Sequence, residues 1–227
     1  MALPMPLEAP VINTTFPANN INQNILPNIH KVIKSLTDFH FCLFLNAMKN
    51  SGFTIWMSGL SGAGKTTLAT QLSTEMNALG LPTIVLDGDQ LRNTLSKDLG
   101  YSMGDRMAQN TRVAYIAKLL NDQNVNVITA LISPTEEIRS MAKEIIGAEN
   151  FKMLFIDCPY EVCEARDVKG LYRQAKDNML NEFTGNDQAF ERPENPWMKI
   201  ETDNLTIAYC INKIIEGIKG VKTNQLK

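Results

Sequence analysis

From Phe53 onward, short apolar runs alternate with longer stretches in which apolar residues recur every three or four positions. The short runs suit strands of a sheet, and the spaced ones suit single faces of helices. Strands are predicted at Phe53–Ser58, Thr83–Asp87, Val125–Leu131 and Phe151–Asp157, with helices near 65–78, 104–122 and 135–146. The chain closes with Leu205, Ala208, Ile211, Ile215 and Ile218 on one helical face. Strands alternating with helices of this length imply parallel strands joined by helical crossovers, an α/β fold of three layers, α/β/α, around a mostly parallel sheet.

The flanking segments read differently. Residues 1–28 hold five prolines (Pro4, Pro6, Pro10, Pro17 and Pro27) among many asparagines, and are expected to form a flexible arm. Over 29–50, Ile29, Val32, Ile33, Leu36, Phe39 and Leu43 have amphipathic helical spacing, so a helix is expected that packs on the domain or on a second subunit. The main domain is then 51–220, followed by a tail at 221–227. Within it the polar stretch 166–196, with Gly170, Gly185, Pro193 and Pro196, reads as a mobile loop over a site.

Composition narrows the function. With 227 residues, 44% apolar and 20% charged, one α/β domain with extra length is expected. A net charge of −2 supplies no basic field for nucleic acid, so an anionic ligand must be held by local groups. Cys42, Cys158, Cys163 and Cys210 form no CxxC pair, and the only histidines are His30 and His40; zinc is not expected, and buried thiols in a reducing compartment are. The longest apolar run near the start, Phe41–Leu45, is far below the roughly 20 residues of a membrane span. Residues 1–29 contain no Lys or Arg, unlike secretory or transit leaders. A cytoplasmic enzyme without a membrane partner is the expectation.

The chemistry begins at Gly59-Leu60-Ser61-Gly62-Ala63-Gly64-Lys65-Thr66, a GxxxxGK[ST] run between a predicted strand and a predicted helix. That is the context of a phosphate-binding loop. Its glycines let backbone N–H groups approach phosphate oxygens, and the helix adds its positive N-terminal end. Lys65 offers a charge to the β- and γ-phosphates. The Thr66 hydroxyl can join a Mg²⁺ shell, with Thr67 next to it among the ATP-binding residues. After the second strand, Asp87-Gly88-Asp89-Gln90-Leu91-Arg92 places two carboxylates and a guanidinium where ligands bind in open α/β sheets. Asp89 is the candidate base for an attacking hydroxyl, Asp87 a candidate to hold metal-bound water, and Arg92 a grip for an anionic acceptor. The same spacing also fits a plain turn and helix N-cap.

The run LDGDQLRNTLSKDLGYS with Asp105-Arg106 resembles the corresponding region of adenylylsulfate kinases. So do Ile132-Ser133-Pro134 with Arg139, the block Glu161–Asp167, Lys169-Gly170-Leu171-Tyr172, and Phe183-Thr184-Gly185 with Asp187. The resemblance covers roughly residues 51–203. It implies a P-loop kinase using Mg²⁺ and ATP on a small nucleotide, in a family that is commonly dimeric. The reaction implied is phosphorylation of the ribose 3′-hydroxyl of adenosine 5′-phosphosulfate. Asp89 then meets that hydroxyl, Arg92 and Arg106 neutralise the phosphosulfate, Tyr101 and Phe183 sandwich the adenine, and Gln109, Ile132 and Ser133 line the pocket. Lys169 and Arg166 belong to the loop over the site, Arg166 on the ATP side. Ser133 also stands as a candidate catalytic residue, because the family serine has been assigned a phosphoserine role. The residues themselves favour a pocket hydroxyl, since no nearby histidine or lysine marks Ser133 for activation.

Four positions depart from the family pattern: Gln90, Gln109, Thr135 and Glu182. They lie on the acceptor side, and leave open a related kinase acting on another phosphorylated nucleotide or sugar.

Overall fold

Strand β1 (Thr54–Ser58) is buried at every residue, as a strand covered on both faces must be. Its alternating side chains separate two cores. Ile55 and Met57 join one cluster with Leu154, Ile156 and Ile200; Trp56 points the other way, into a cluster with Val127 and Met153. The first cluster is closed by Leu68, Leu72 and Met76 of α1 (Lys65–Ala78) and by Ile211, Ile214 and Ile218 of α6 (Ile207–Thr223). The second is closed by Val113, Ala114 and Ala117 of α3 (Met103–Asp122) and by Ala142 and Ile146 of α4 (Glu136–Ile146). Three layers result. Each large aliphatic side chain buried this way contributes about 1.5–3 kcal/mol by leaving water.

The computed structural model describes residues 52–167, 170, 172, 173 and 190–223. The remaining elements are β2 (Thr83–Asp87), α2 (Gly88–Arg92), β3 (Asn126–Ala130), β4 (Phe151–Asp157), α5 (Tyr160–Arg166) and β5 (Met198–Glu201). The five strands run in the order β2-β3-β1-β4-β5, and every pairing is parallel. Register is tight: Ile55 faces Ile128 on β3 and Lys152 on β4. Because β1 is central and its neighbours follow crossovers in opposite directions, the carboxyl ends of β1, β2 and β3 open into one crevice, the usual ligand position in such sheets.

The four predicted strands and the predicted helices are present, with ends shifted by a residue or two. Three short elements were not predicted: α2, α5 and β5. The last carries only Met-Lys-Ile-Glu and is charged at alternate positions. Arg166 ends helix α5 rather than beginning a loop, and α6 extends to Thr223, past the expected start of the tail. The arm at 1–28, the 29–50 helix and most of the 166–196 loop lie outside the described residues.

Candidate active site

Helix α1 starts without a side-chain cap: Gly64 stands at its N-cap with φ 96° and makes no side-chain hydrogen bond. Its first N–H groups are therefore not taken by the Ser or Asp oxygen that caps most helices. The loop ahead of it needs glycine for a further reason. Gly62 has φ +76°, and a Cβ there would lie 2.8 Å from the Cys163 carbonyl oxygen.

The carbonyls of this loop are held from Gly59 to Ala63. Lys65 Nζ donates to Gly59 O at 2.8 Å and Leu60 O at 2.7 Å, crossing the loop at 9% exposure. The Tyr172 hydroxyl donates to Ser61 O at 2.8 Å, and the Thr202 hydroxyl donates to Ala63 O at 2.8 Å. Arg166 Nη1 donates to Gly62 O at 3.4 Å and to Cys158 Sγ at 3.5 Å, while Nη2 donates to Thr202 O at 2.8 Å. The described thiols, Cys158, Cys163 and Cys210, are free and buried. Burial, reinforced by the Cys158 thiol, pushes Cys163 up to about 12, so it stays neutral at ordinary pH.

Asp87 joins the loop to the acceptor side. Its Oδ1 caps α2, accepting from Asp89 N–H at 3.0 Å and Gln90 N–H at 3.2 Å. Its Oδ2 accepts from the Thr66 hydroxyl at 2.7 Å. The N-cap reading and the metal-site reading of Asp87 are thus compatible, since one oxygen serves each. A buried carboxylate beside the P-loop hydroxyl is the donor pair expected for magnesium carried in by nucleotide phosphates. Among the described residues there is no cluster of three or more His, Cys, Asp or Glu that could hold a metal; a cation arriving with ATP needs none, as phosphate and water oxygens complete its shell.

Asp89 and Arg92 project from α2, where Asp89 is exposed. Arg92 Nη1 donates to Gly100 O, and its guanidinium sits 4.6 Å from the centre of the Tyr101 ring. The Arg106 guanidinium lies 5.8 Å from the same ring and donates through Nε to Tyr101 O at 2.9 Å. Burial lowers Arg92 from its usual value, with Tyr101 and Asp105 opposing. Arg106 is held at the start of α3, where Ser102 and Asp105 cap reciprocally: Asp105 N–H donates to Ser102 Oγ at 3.1 Å, and Ser102 donates to Asp105 Oδ2 at 2.7 Å. Gln109 is buried and donates to Gly88 O at 2.8 Å, tying α3 to the Asp87–Asp89 turn, and it also lines the cleft.

Ser133 sits in the left-handed region, φ 45°, at 1% exposure. Its hydroxyl accepts from Trp56 Nε1 at 3.0 Å and donates its proton to Asn110 Oδ1 at 2.7 Å. That geometry counts against the catalytic expectation: a buried hydroxyl whose one proton is committed to an amide oxygen has no base to make it a nucleophile. Its carbonyl accepts from Ser58 Oγ at 3.2 Å and Arg139 Nη1 at 3.0 Å, which pins the strained residue.

One cleft, with a cavity volume of about 170 Å³, is lined by Ser61, Gly62, Gly64, Lys65, Thr66 and Thr67 from the loop side, and by Asp89, Arg92, Tyr101, Arg106, Gln109, Ile132 and Ser133 from the other. Gly59, Leu60 and Ala63 complete the loop behind it. Lys169, Phe183 and Glu182 lie outside the described residues. No local pattern marks Asn110, Trp56 or Thr202, and Tyr172 shares its block with Lys169, the residue whose charge carries the signal there.

Comparison with known proteins identifies the family. Residues 51–201 match the family model of adenylylsulphate kinase. An adenylyl-sulfate kinase of Synechococcus sp. (strain JA-3-3Ab) is 43% identical over 173 residues, covering 76% of this chain and 97% of that relative. The structure of the APS kinase CysC of Mycobacterium tuberculosis, in complex with AMPPNP and APS, superposes with a TM-score of 0.72 at 36% identity, covering 74% of this chain and 98% of the other. A hexameric APS kinase from Thiobacillus denitrificans gives 0.59 at 26% identity, covering 76% of this chain and 30% of that one.

Proposed function

We infer the reaction from a premise: this chain belongs to the adenylylsulphate kinase family, and it transfers the γ-phosphoryl group of ATP to the ribose 3′-hydroxyl of adenosine 5′-phosphosulfate. The products are 3′-phosphoadenosine 5′-phosphosulfate and ADP. The observation that carries the reading is that Lys65 and Thr66 share one cleft with Asp89, Arg92 and Arg106, so a phosphate donor and an anionic acceptor can meet.

In this reading the amides at the start of α1 and the Lys65 ammonium bind the ATP phosphates, with Thr67 beside them and Arg166 at the ATP end. Thr66 and, through water, Asp87 would hold the magnesium ion that accompanies ATP and offsets phosphate charge. Asp89 orients the 3′-hydroxyl and accepts its proton as oxygen bonds to the γ-phosphorus and the bond to the β–γ bridging oxygen breaks. Arg92 and Arg106 receive the phosphosulfate, their guanidinium forks suiting tetrahedral oxyanions. Tyr101 and Ile132 border the acceptor, Gln109 and Ser133 shape its wall, and Lys169 and Phe183 keep the roles implied by the resemblance. A homodimer and a cytoplasmic setting belong to the same proposal. Self-association is supported by the hexameric assembly of the Thiobacillus relative; no described helix is long and apolar enough to cross a membrane.

ADP release from Mg²⁺-ATP, with and without adenosine 5′-phosphosulfate, tests the reading, with Asp89→Ala as control. Strong stimulation by the acceptor, lost in the variant, is expected. ATP turnover that ignores this acceptor but responds to another phosphorylated alcohol would overturn the acceptor assignment.

A further inference from the structure

The trans peptide fixes more of the phosphate loop than its glycines suggest. In a planar trans unit the N–H of one residue points opposite to the C=O of the residue before it. Holding Ser61 O therefore orients Gly62 N–H, and holding Ala63 O orients Gly64 N–H. These are also the two peptides most able to flip, since each ends in a glycine in the left-handed region, φ +76° and +96°. Each is held by a hydroxyl from a distant part of the chain: Tyr172, 111 residues from Ser61, and Thr202, 139 residues from Ala63.

Neither donor is adventitious in its setting. Tyr172 is 3% exposed, and its ring packs edge-on against Tyr160 at 5.4 Å. Burial pushes its phenol upward, so it remains a donor at ordinary pH. Thr202 follows β5 directly; its N–H donates to Asp157 O at 3.0 Å and its carbonyl accepts from Arg166. Its backbone is fixed on both sides of the hydroxyl.

We propose that Tyr172 and Thr202 are positioning residues for ATP, their hydroxyls clamping Ser61 O and Ala63 O so that the Gly62 and Gly64 amides face the phosphates. This rests on the loop being the ATP cradle. Neither side chain needs to touch the nucleotide. Each acts through one peptide plane.

Calorimetric titration of the full chain with Mg²⁺-ATP tests this without any acceptor. Y172F and T202V each remove one donor at nearly constant volume. Each is expected to weaken ATP about five- to tenfold, the worth of one hydrogen bond, while T202S recovers most of the loss. A purely structural role would lower the thermal midpoint and leave the affinity of the folded protein alone. ATP affinities of Y172F and T202V within twofold of the parent, or T202S as weak as T202V, overturn the inference. A parent that does not bind Mg²⁺-ATP overturns the underlying reading instead, so the two failures are distinct.

Discussion

The two halves of the cleft are built by different physics. In the proposed reading the ATP side is mostly backbone, joined by the Lys65 ammonium, while the Tyr172 and Thr202 hydroxyls donate to loop carbonyls. On the proposed acceptor side the groups are side chains: two guanidinium groups against one ring, at 4.6 and 5.8 Å. A backbone cradle is preorganised and tolerant of what it holds as long as phosphate is present. A side-chain cluster can be retuned by single substitutions, and Gln109, one of the departures from the family pattern, lines that side of the cleft.

Lys65→Ala should be the most damaging single change, lowering turnover about a thousandfold by removing the charge that faces the transferring phosphoryl group; steady-state ADP release measures it. Asp89→Asn should follow, with a loss on the order of a hundredfold or more in kcat, because a general base contributes that much, while the ATP affinity stays unchanged. Arg106→Ala should raise the acceptor KM by roughly thirtyfold, as loss of one partner in a charged contact does, again sparing ATP. A comparable loss of ATP affinity in this variant would erase the distinction between the halves. Ser133→Ala should cost less than tenfold in turnover; complete loss, or a phosphorylated serine detected by mass spectrometry, would restore the covalent role.

How much of this was legible beforehand follows the same division. The P-loop could be read because its chemistry lies within eight consecutive residues between a strand and a helix. Strands β1 and β3 could be read because they are buried at every residue, and the edge strand β2 because its short Thr-Ile-Val-Leu run is β-prone although Ile84 is exposed. Strand β5 could not, since Met198–Glu201 earns its place by pairing with β4 rather than by its own hydrophobicity. Nor could α2 and α5, each too short for periodicity to register. The hydroxyl donors of the loop come from 111 and 139 residues away, and no local pattern marks them. Ser133 shows the converse: its block was recognisable, yet its role depends on Trp56 and Asn110, which only folding brings to it.

The smallest expected effect lies outside the cleft and calibrates the others. Arg112 pairs with Asp98 through two hydrogen bonds, 2.7 and 2.6 Å, and the Arg112 hydrogen bond draws the Asp98 carboxyl down to about 2. A folded value below the unfolded one means the pair contributes stability above about pH 4 and loses it as pH falls toward 2. The difference in thermal midpoint between the parent and R112Q should therefore shrink over that interval, with kinetics of both substrates unchanged at neutral pH.

Trp56 also gives the molecule an optical property. Its indole is fully buried, so its emission should be blue-shifted, and its N–H ends on Ser133, whose loop lines the cleft. Anything that shifts this loop perturbs the indole's surroundings directly. The only other tryptophan, Trp197, does not line the cleft and can be replaced by phenylalanine, leaving a single tryptophan whose selectively excited emission should report acceptor binding without a label.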